Sequence, residues 1–245
     1  MTRAGRIAAS FRAAWLGFVR RRTALFFTFF FPAILIVVFG ALVGAGSAGL
    51  FSEPPVYYVP GYLAVVVLFT PLSRVSSEVA RHRAGKRFEK LATTPLSPAE
   101  WLFAVTLVNA VLVGAAGVLV LALVAGLTGA EVVVGPALPL AVAFGSVLFC
   151  GAGALIGRLA DSQDGAIAAS NGVGLPLLFL SETFVPPDLL PAWFRPLMAL
   201  SPLTYFARAA RTALTGGGVD GSMAVLAVLA VVAFAAGAYA LPWRD

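Results

Sequence analysis

Long apolar runs alternate with short polar intervals along the chain. Crossing a bilayer takes a helix of about 20 predominantly apolar residues. Six runs read as such spans: 23–45, 56–76, 101–128, 132–157, 166–181 and 222–241. Prolines punctuate them. Pro32 lies in the first; Pro60 and Pro71 are expected to bend the two ends of the second; Pro176 is expected to interrupt the fifth. Tyr57 and Tyr58 open the second span at an expected membrane interface. The fourth carries Pro136, Pro139 and several glycines, which allow close helix packing. The pattern therefore predicts an all-α integral membrane protein.

The polar intervals have patterns of their own. In residues 1–22, Ile7, Phe11, Trp15 and Phe18 fall within about 80° of one another on a helix of period 3.6. Two readings stand: an amphipathic helix on the membrane surface with Trp15 at headgroup level, or a basic tail that only orients the first span. The run after Arg22 is too long for the apolar core of a cleaved signal peptide. A short segment with Glu53, Pro54 and Pro55 separates spans one and two.

The longest polar interval between apolar runs is Arg74–Trp101, with nine charges, six of them basic, and His82. At about 2.5–3.5 kcal/mol per charge, its insertion would cost on the order of 20–30 kcal/mol, so it must lie outside the membrane core. Ala84, Phe88 and Leu91 share one helical face, with Arg83, Lys86, Arg87 and Lys90 on the next. This predicts a short amphipathic helix within 77–100, broken at Thr94-Pro95. Ser97-Pro98-Ala99-Glu100 reads as a capping box with proline at the first helical position, starting span three beside Trp101. A turn at Gly129 and Glu131 follows span three, and the loop 158–164 follows span four, with Asp164 at a helix start. Residues 182–221 are too polar to span, yet apolar enough to avoid bulk water. They predict two short helices half-buried in the leaflet, near Leu189–Phe194 and Pro202–Phe206, the second capped by Ser201 and ended by Gly216–Gly218.

Composition agrees. The chain is 60% hydrophobic and only 11% charged, against about a quarter charged in soluble domains. Its single cysteine, Cys150, lies in an apolar run and reads as a small buried hydrophobe. The net charge of +6 sits in clusters beside apolar runs, which suits anionic headgroups rather than nucleic acid. Six spans place both termini on one side. That side carries fourteen basic residues, and the other carries Arg195, Arg208 and Arg211. The positive-inside rule makes both termini and the 77–100 loop cytoplasmic, and the 182–221 segment external. Fifteen Arg against two Lys, with abundant Ala, Gly and Val, point to a GC-rich, bacterial coding genome.

Candidate chemistry is sparse. The chain has no GxxxxGK[ST] phosphate loop, and Gly85-Lys86 lacks the upstream glycine spacing. His82 has no nearby second ligand for a metal and reads as a solvated or interfacial residue. An intramembrane protease would need a histidine or paired acids at membrane depth. The spans carry Asn109 and Asn171 but essentially no charge, which disfavours a proton-coupled carrier. Energy is therefore expected from a partner docking on the cytoplasmic side. A stand-alone secondary carrier of hydrophobic solutes remains the alternative.

Four motifs carry a resemblance. Pro60-Gly61 opens span two. Phe88-Glu89-Lys90-Leu91-Ala92-Thr93-Thr94-Pro95-Leu96-Ser97 looks like an LExLxxTPLS signature. Phe179-Leu180-Ser181 through Phe184, then Pro191-Ala192-Trp193, looks like FLSGxFP…LPxW. Ser201-Pro202-Leu203-Thr204-Tyr205 through Arg211 looks like NPLTY…ALR. With this order and spacing the chain resembles the ABC-2 family of ABC-transporter membrane subunits, especially six-span permeases similar to the daunorubicin-resistance exporter. It departs from the pattern at Lys86-Arg87, where the family has Gly-Thr, at Glu182, where glycine is common, and at Ser201, where asparagine is usual.

The resemblance implies an export subunit in the bacterial plasma membrane, moving an amphipathic drug, antibiotic or lipid-like substrate. A second permease subunit, a copy or a paralogue, would pair with it. Two separate ATP-binding subunits would hold ATP and Mg. It implies a cytoplasmic coupling helix that docks those subunits through Arg83, Arg87, Phe88, Glu89, Leu91, Thr94 and Pro95. It implies a translocation path along spans two and five, with Phe69, Asn171 and Phe179. It implies an outer gate of re-entrant helices, with Glu182, Trp193, Pro202 and Tyr205.

Overall fold

The computed structural model describes residues 2–44, 55–129, 134–184 and 190–243. The expected segment at Glu53-Pro54, the turn residue Glu131 and the helix start at Leu189 lie outside them. Among the described residues the fold is all-helical, in ten helices: α1 (Arg3–Val19), α2 (Arg22–Gly44), α3 (Pro55–Ala84), α4 (Arg87–Ala92), α5 (Pro98–Thr128), α6 (Ala137–Leu159), α7 (Gln163–Phe179), α8 (Arg195–Met198), α9 (Pro202–Leu214) and α10 (Gly221–Ala240). Segments Val56–Ala84, Pro98–Thr128, Ala137–Leu159 and Gly221–Ala240 are long and apolar enough to cross a membrane. In α2 the corresponding apolar stretch is Thr28–Val38, and α7 has 17 residues.

Local signals set most helix ends. Thr2, Ser162 and Asp220 each accept a hydrogen bond from the backbone N–H three residues on, at 3.3, 3.0 and 2.9 Å. Gly129 closes α5 in the left-handed region, with φ 64° and its N–H on the Ala125 carbonyl. Pro176 does not interrupt α7. The helix runs through it to Phe179, and the Pro176 carbonyl accepts the closing bond from the Leu180 N–H at 2.8 Å.

Helix α3 is the axis of the bundle. It packs against α6, α7, α5, α9 and α2, while α10 lies along α6 and α9, and α1 along α5. Close approach needs glycine. A Cβ on Gly157 would lie 2.4 Å from the Ser76 carbonyl oxygen, and one on Gly151 would lie 2.3 Å from that of Ala233. The main core joins Tyr58, Leu63, Leu68 and Leu72 of α3 to Phe149 of α6 and to Leu203 and Phe206 of α9. Tyr58 is buried in this core, at the end of the bundle's axis where α9 packs on α3.

Within residues 1–22, Arg3–Val19 are helical, as an amphipathic helix requires. Its apolar face, however, has Phe18 buried against Val108 and Leu112 of α5. Phe11 stacks on Trp15 at 6.3 Å.

Candidate coupling site and translocation groove

The polar interval 74–101 is not one amphipathic helix. Helix α3 continues without a break to Ala84. The chain then turns at Gly85 and Lys86, and Lys86 takes a left-handed conformation (φ 51°). Helix α4 starts only at Arg87. Ala84 and Phe88 therefore belong to different helices, and the 84/88/91 spacing spans a turn rather than one helical face. The six-residue α4 ends in a hydroxyl-rich turn. There Thr93 Oγ1 donates to the Lys90 carbonyl (2.8 Å) and Thr94 Oγ1 to the Leu91 carbonyl (2.6 Å). The capping box follows as expected: Ser97 Oγ accepts from the Glu100 N–H at 3.2 Å, and Glu100 accepts from the Ser97 N–H at 3.0 Å.

An aromatic cluster fixes α4 to the bundle. Phe88, 2% exposed, lies edge-on to His82 (5.4 Å between ring centroids) and Trp101 (5.2 Å), and 5.6 Å from Trp243 near the end of the chain. His82 is buried in this cluster and not solvated, because α4 and α5 close over it. Its Nε2 lies 3.3 Å from Arg87 and 3.9 Å from Glu78.

The seven docking candidates divide accordingly. Phe88 is core, and Leu91 is half-buried against the same cluster. Arg83 points back, donating to the Arg158 and Ala160 carbonyls and so clamping the end of α6. Glu89, Thr94 and Pro95 are exposed, as are Lys86 and Lys90, whereas Arg87, though exposed, reaches back to His82 and borders the groove. Helix α1 is tied to this unit by a contact that the sequence did not reveal. Arg6 donates to both oxygens of Glu100, at 3.1 and 2.6 Å, and this bonding raises the pKa of its guanidinium above the ordinary value.

The three path candidates meet in one groove. Phe69, Asn171 and Phe179 all line a cavity of about 1270 Å³ between α1 and α2 on one side and α3 and α7 on the other. Phe179 is 76% exposed at its edge. The Phe184 ring closes one end, held where α3 has no side chain. A Cβ on Gly61 would lie 2.8 Å from that ring and 2.7 Å from the Thr183 carbonyl oxygen. At the other end, nearest α4, the walls carry Arg21, Arg74, Glu78, Arg81 and Arg87. Sequence reading placed Arg74 and Glu78 in the polar excursion. Their i, i+4 spacing on α3 was the signal that they share a face.

Three of the four gate candidates, Glu182, Pro202 and Tyr205, lie on α9 or are bonded to it. Glu182 is buried and accepts from Arg208 with both carboxylate oxygens, one at 2.8 Å. That bonding raises the Arg208 pKa. Arg211 donates to the Glu182 carbonyl at 3.0 Å and lies over the Tyr57 ring at 4.4 Å. Ser201 does not cap α9; its hydroxyl donates to the Leu177 carbonyl at 2.8 Å and ties α9 to α7. Pro202 opens α9 as expected, and Tyr205 Oη donates to the Ala199 carbonyl at 3.0 Å. Trp193 is 71% exposed, edge-on to Phe194. The two short helices are α8 and α9, displaced toward the C-terminus from the expected Leu189–Phe194 and extended beyond the expected Phe206. Leu203, Phe206, Ala207 and Ala210 of α9 are buried in the bundle rather than half-buried in lipid.

The family description "ABC-2 type transporter" matches residues 6–215. The chain is 30% identical over 193 residues to the Daunorubicin resistance ABC transporter permease protein DrrB1 of Streptomyces coeruleorubidus. That match covers 76% of this chain and 66% of the relative, a little under two thirds of its length.

Proposed function

From the chain's membership of the ABC-2 transporter family, as a multi-pass membrane protein, we propose that it is the permease subunit of an ATP-driven exporter, powered through α4 by a separate ATP-binding subunit. One observation carries this reading. The polar face of α4 is exposed, while its other face is locked to α3 and α5 through Phe88, His82 and Trp101. A push on Arg87, Glu89, Thr94 and Pro95 would therefore reach α3, the wall of the groove, without being absorbed by a flexible loop. In this role Glu89 orients the partner by polar contacts, and Arg83 transmits force to the end of α6.

The six spans are then α2, α3, α5, α6, α7 and α10, with α1 on the cytoplasmic face and α8–α9 folded into the outer side. Both termini are cytoplasmic by the positive-inside rule. Two ATP-binding subunits hold ATP and Mg, and a second permease subunit completes the path. The groove with Phe69, Asn171 and Phe179 carries an amphipathic drug, antibiotic or lipid-like substrate, and the Glu182–Arg208 pair with Tyr205, Pro202 and Trp193 forms the outer gate.

The test is co-expression with a candidate ABC ATP-binding subunit. Vanadate-sensitive ATPase activity in the purified complex is expected, with loss of co-purification for Glu89→Ala/Lys90→Ala, whose side chains are exposed. A double variant that assembles and exports like the wild type removes α4 as the docking site. Transport without any ATPase partner establishes the secondary carrier instead.

A further inference from the structure

The groove is chemically polarised along its length. At the α4 end, Arg21, Arg74, Arg81 and Arg87 line it with a single acid, Glu78. Arg81 and His82 lie within 4.0 Å of Glu78, so the acid is already engaged. Arg21 is near enough to Arg74 and Glu78 to act on both electrostatically. Arg74 spreads its guanidinium over the Phe18 ring at 4.4 Å, and its buried Nη1 finds no hydrogen-bond partner among the described residues. A buried donor without a partner is destabilising, and a ligand acceptor would relieve it. Toward the other end, Phe69, Leu178, Phe179 and Phe184 replace the charges.

We infer that this groove binds a membrane lipid with an anionic phosphate head, the head at Arg21, Arg74 and Arg81 and the acyl chain along Phe69 and Leu178 toward Phe184. Guanidinium forks match phosphate oxygens two at a time. The excess of arginine over acid selects against a cationic head, and a cavity of about 1270 Å³ is larger than a drug-sized pocket needs. A free anion would leave the aromatic length of the groove unused. A lipid would not, because Leu175 and Phe179 are exposed at its edge and open a sideways route from the bilayer. As a binding site this stands on the groove alone; as the substrate class it rests on the reading of the chain as an export subunit.

The test uses the full chain in nanodiscs of equal phosphatidylglycerol and phosphatidylcholine, with retained lipid identified by native mass spectrometry. Phosphatidylglycerol is expected to be retained about tenfold over phosphatidylcholine, equivalent to about 1.4 kcal/mol. Arg21→Gln/Arg74→Gln should remove the preference, and Arg12→Gln/Arg20→Gln, on the exposed side of α1, should keep it. Equal retention of both lipids by the wild type overturns the site. So does a preference that survives the first pair or is lost equally with the second. Should the first pair fail to fold, competition on the wild type decides. Displacement by inorganic phosphate or by a cationic amphiphile overturns the lipid assignment, and resistance to both supports it. In proteoliposomes with the ATP-binding partner, ATP-dependent movement of phosphatidylglycerol supports the substrate class. Retention without movement, in a complex whose ATPase is active, overturns the substrate class but not the site.

Discussion

The two sides of α3 are built for opposite purposes. Toward α6 its backbone is in near contact with a neighbour, and Gly153 and Gly157 leave no room for a Cβ against the Leu72 and Ser76 carbonyls. Toward α1, α2 and α7 the same helix presents Phe69, Ser73, Arg74, Ser77 and Glu78 to an open groove. Where α3 packs directly on α7, buried hydroxyls pair with one another: Ser76 Oγ is 2.6 Å from Ser170 Oγ, and Ser170 donates to the Ala166 carbonyl at 2.7 Å. On the groove side, Arg74 keeps an unmatched donor. In a membrane, where lipid is as apolar as a leucine side chain, helices hold together by close packing and internal hydrogen bonds. The difference therefore separates the surface that keeps the bundle together from the surface free to accept a ligand and move.

Substitutions can break this comparison. The largest loss is expected for Gly157→Val, whose Cβ would sit 2.4 Å from the Ser76 carbonyl oxygen and 2.7 Å from Val79 Cβ. Overpacking ordinarily costs about 1–3 kcal/mol, and contacts with backbone that cannot rotate away put this variant at or above the top of that range. A collapse in the detergent melting temperature checks it. Gly114→Val and Gly126→Val on α5, where a Cβ meets nothing within 4 Å, should melt like the wild type. If all three behave alike, the packed side is not what glycine protects.

Next comes Glu182→Ala, which strands Arg208. The cost should be about 1–3 kcal/mol. It falls toward the lower end because the Arg208 side chain is 42% exposed and water can replace part of the pairing. Swapping the charges, Glu182→Arg with Arg208→Glu, should recover part of the loss, and no recovery would reduce the pair to a steric contact.

Ser97→Ala should cost about 1 kcal/mol through the lost cap. It should also loosen α1, since Arg6 is held by the same Glu100 that completes the capping box. Limited proteolysis near residues 20–22 reads this out, and an unchanged cleavage rate would uncouple α1 from the cap. The smallest stability effect is expected for Ser73→Ala on the groove side, within about 0.5 kcal/mol as for surface substitutions. A large destabilisation there would mean that the groove is a packed interior.

Much of this was legible in the sequence where the signal is local. The capping box of Ser97 and Glu100, proline at the start of α9 and the stop at Gly129 each depend on a few adjacent residues, and all appear in the structure. The 84/88/91 pattern misled because periodicity cannot see a turn that preserves the spacing; Gly85 and a left-handed Lys86 supply that turn. Glu182 with Arg208, 26 residues apart, and Arg6 with Glu100, 94 apart, are pairings that no periodicity reports. His82 looked solvent-facing because its neighbours in sequence are charged, whereas its neighbours in space are Phe88 and Trp101. The groove candidates Phe69, Asn171 and Phe179 entered through a family resemblance, and the fold lines one cavity with all three.

In the proposed function, driving force enters at α4. The direct measurement is disulfide or short-linker cross-linking of Glu89→Cys to the ATP-binding subunit in membranes, with Cys150 buried and silent. Val219→Cys, exposed in the segment assigned to the opposite side, is the control. The account predicts a cross-linked product at Glu89 whose yield changes when ATP and vanadate are added, and none at Val219. Reaction at Val219 but not at Glu89 would contradict both the docking surface and the orientation of the chain.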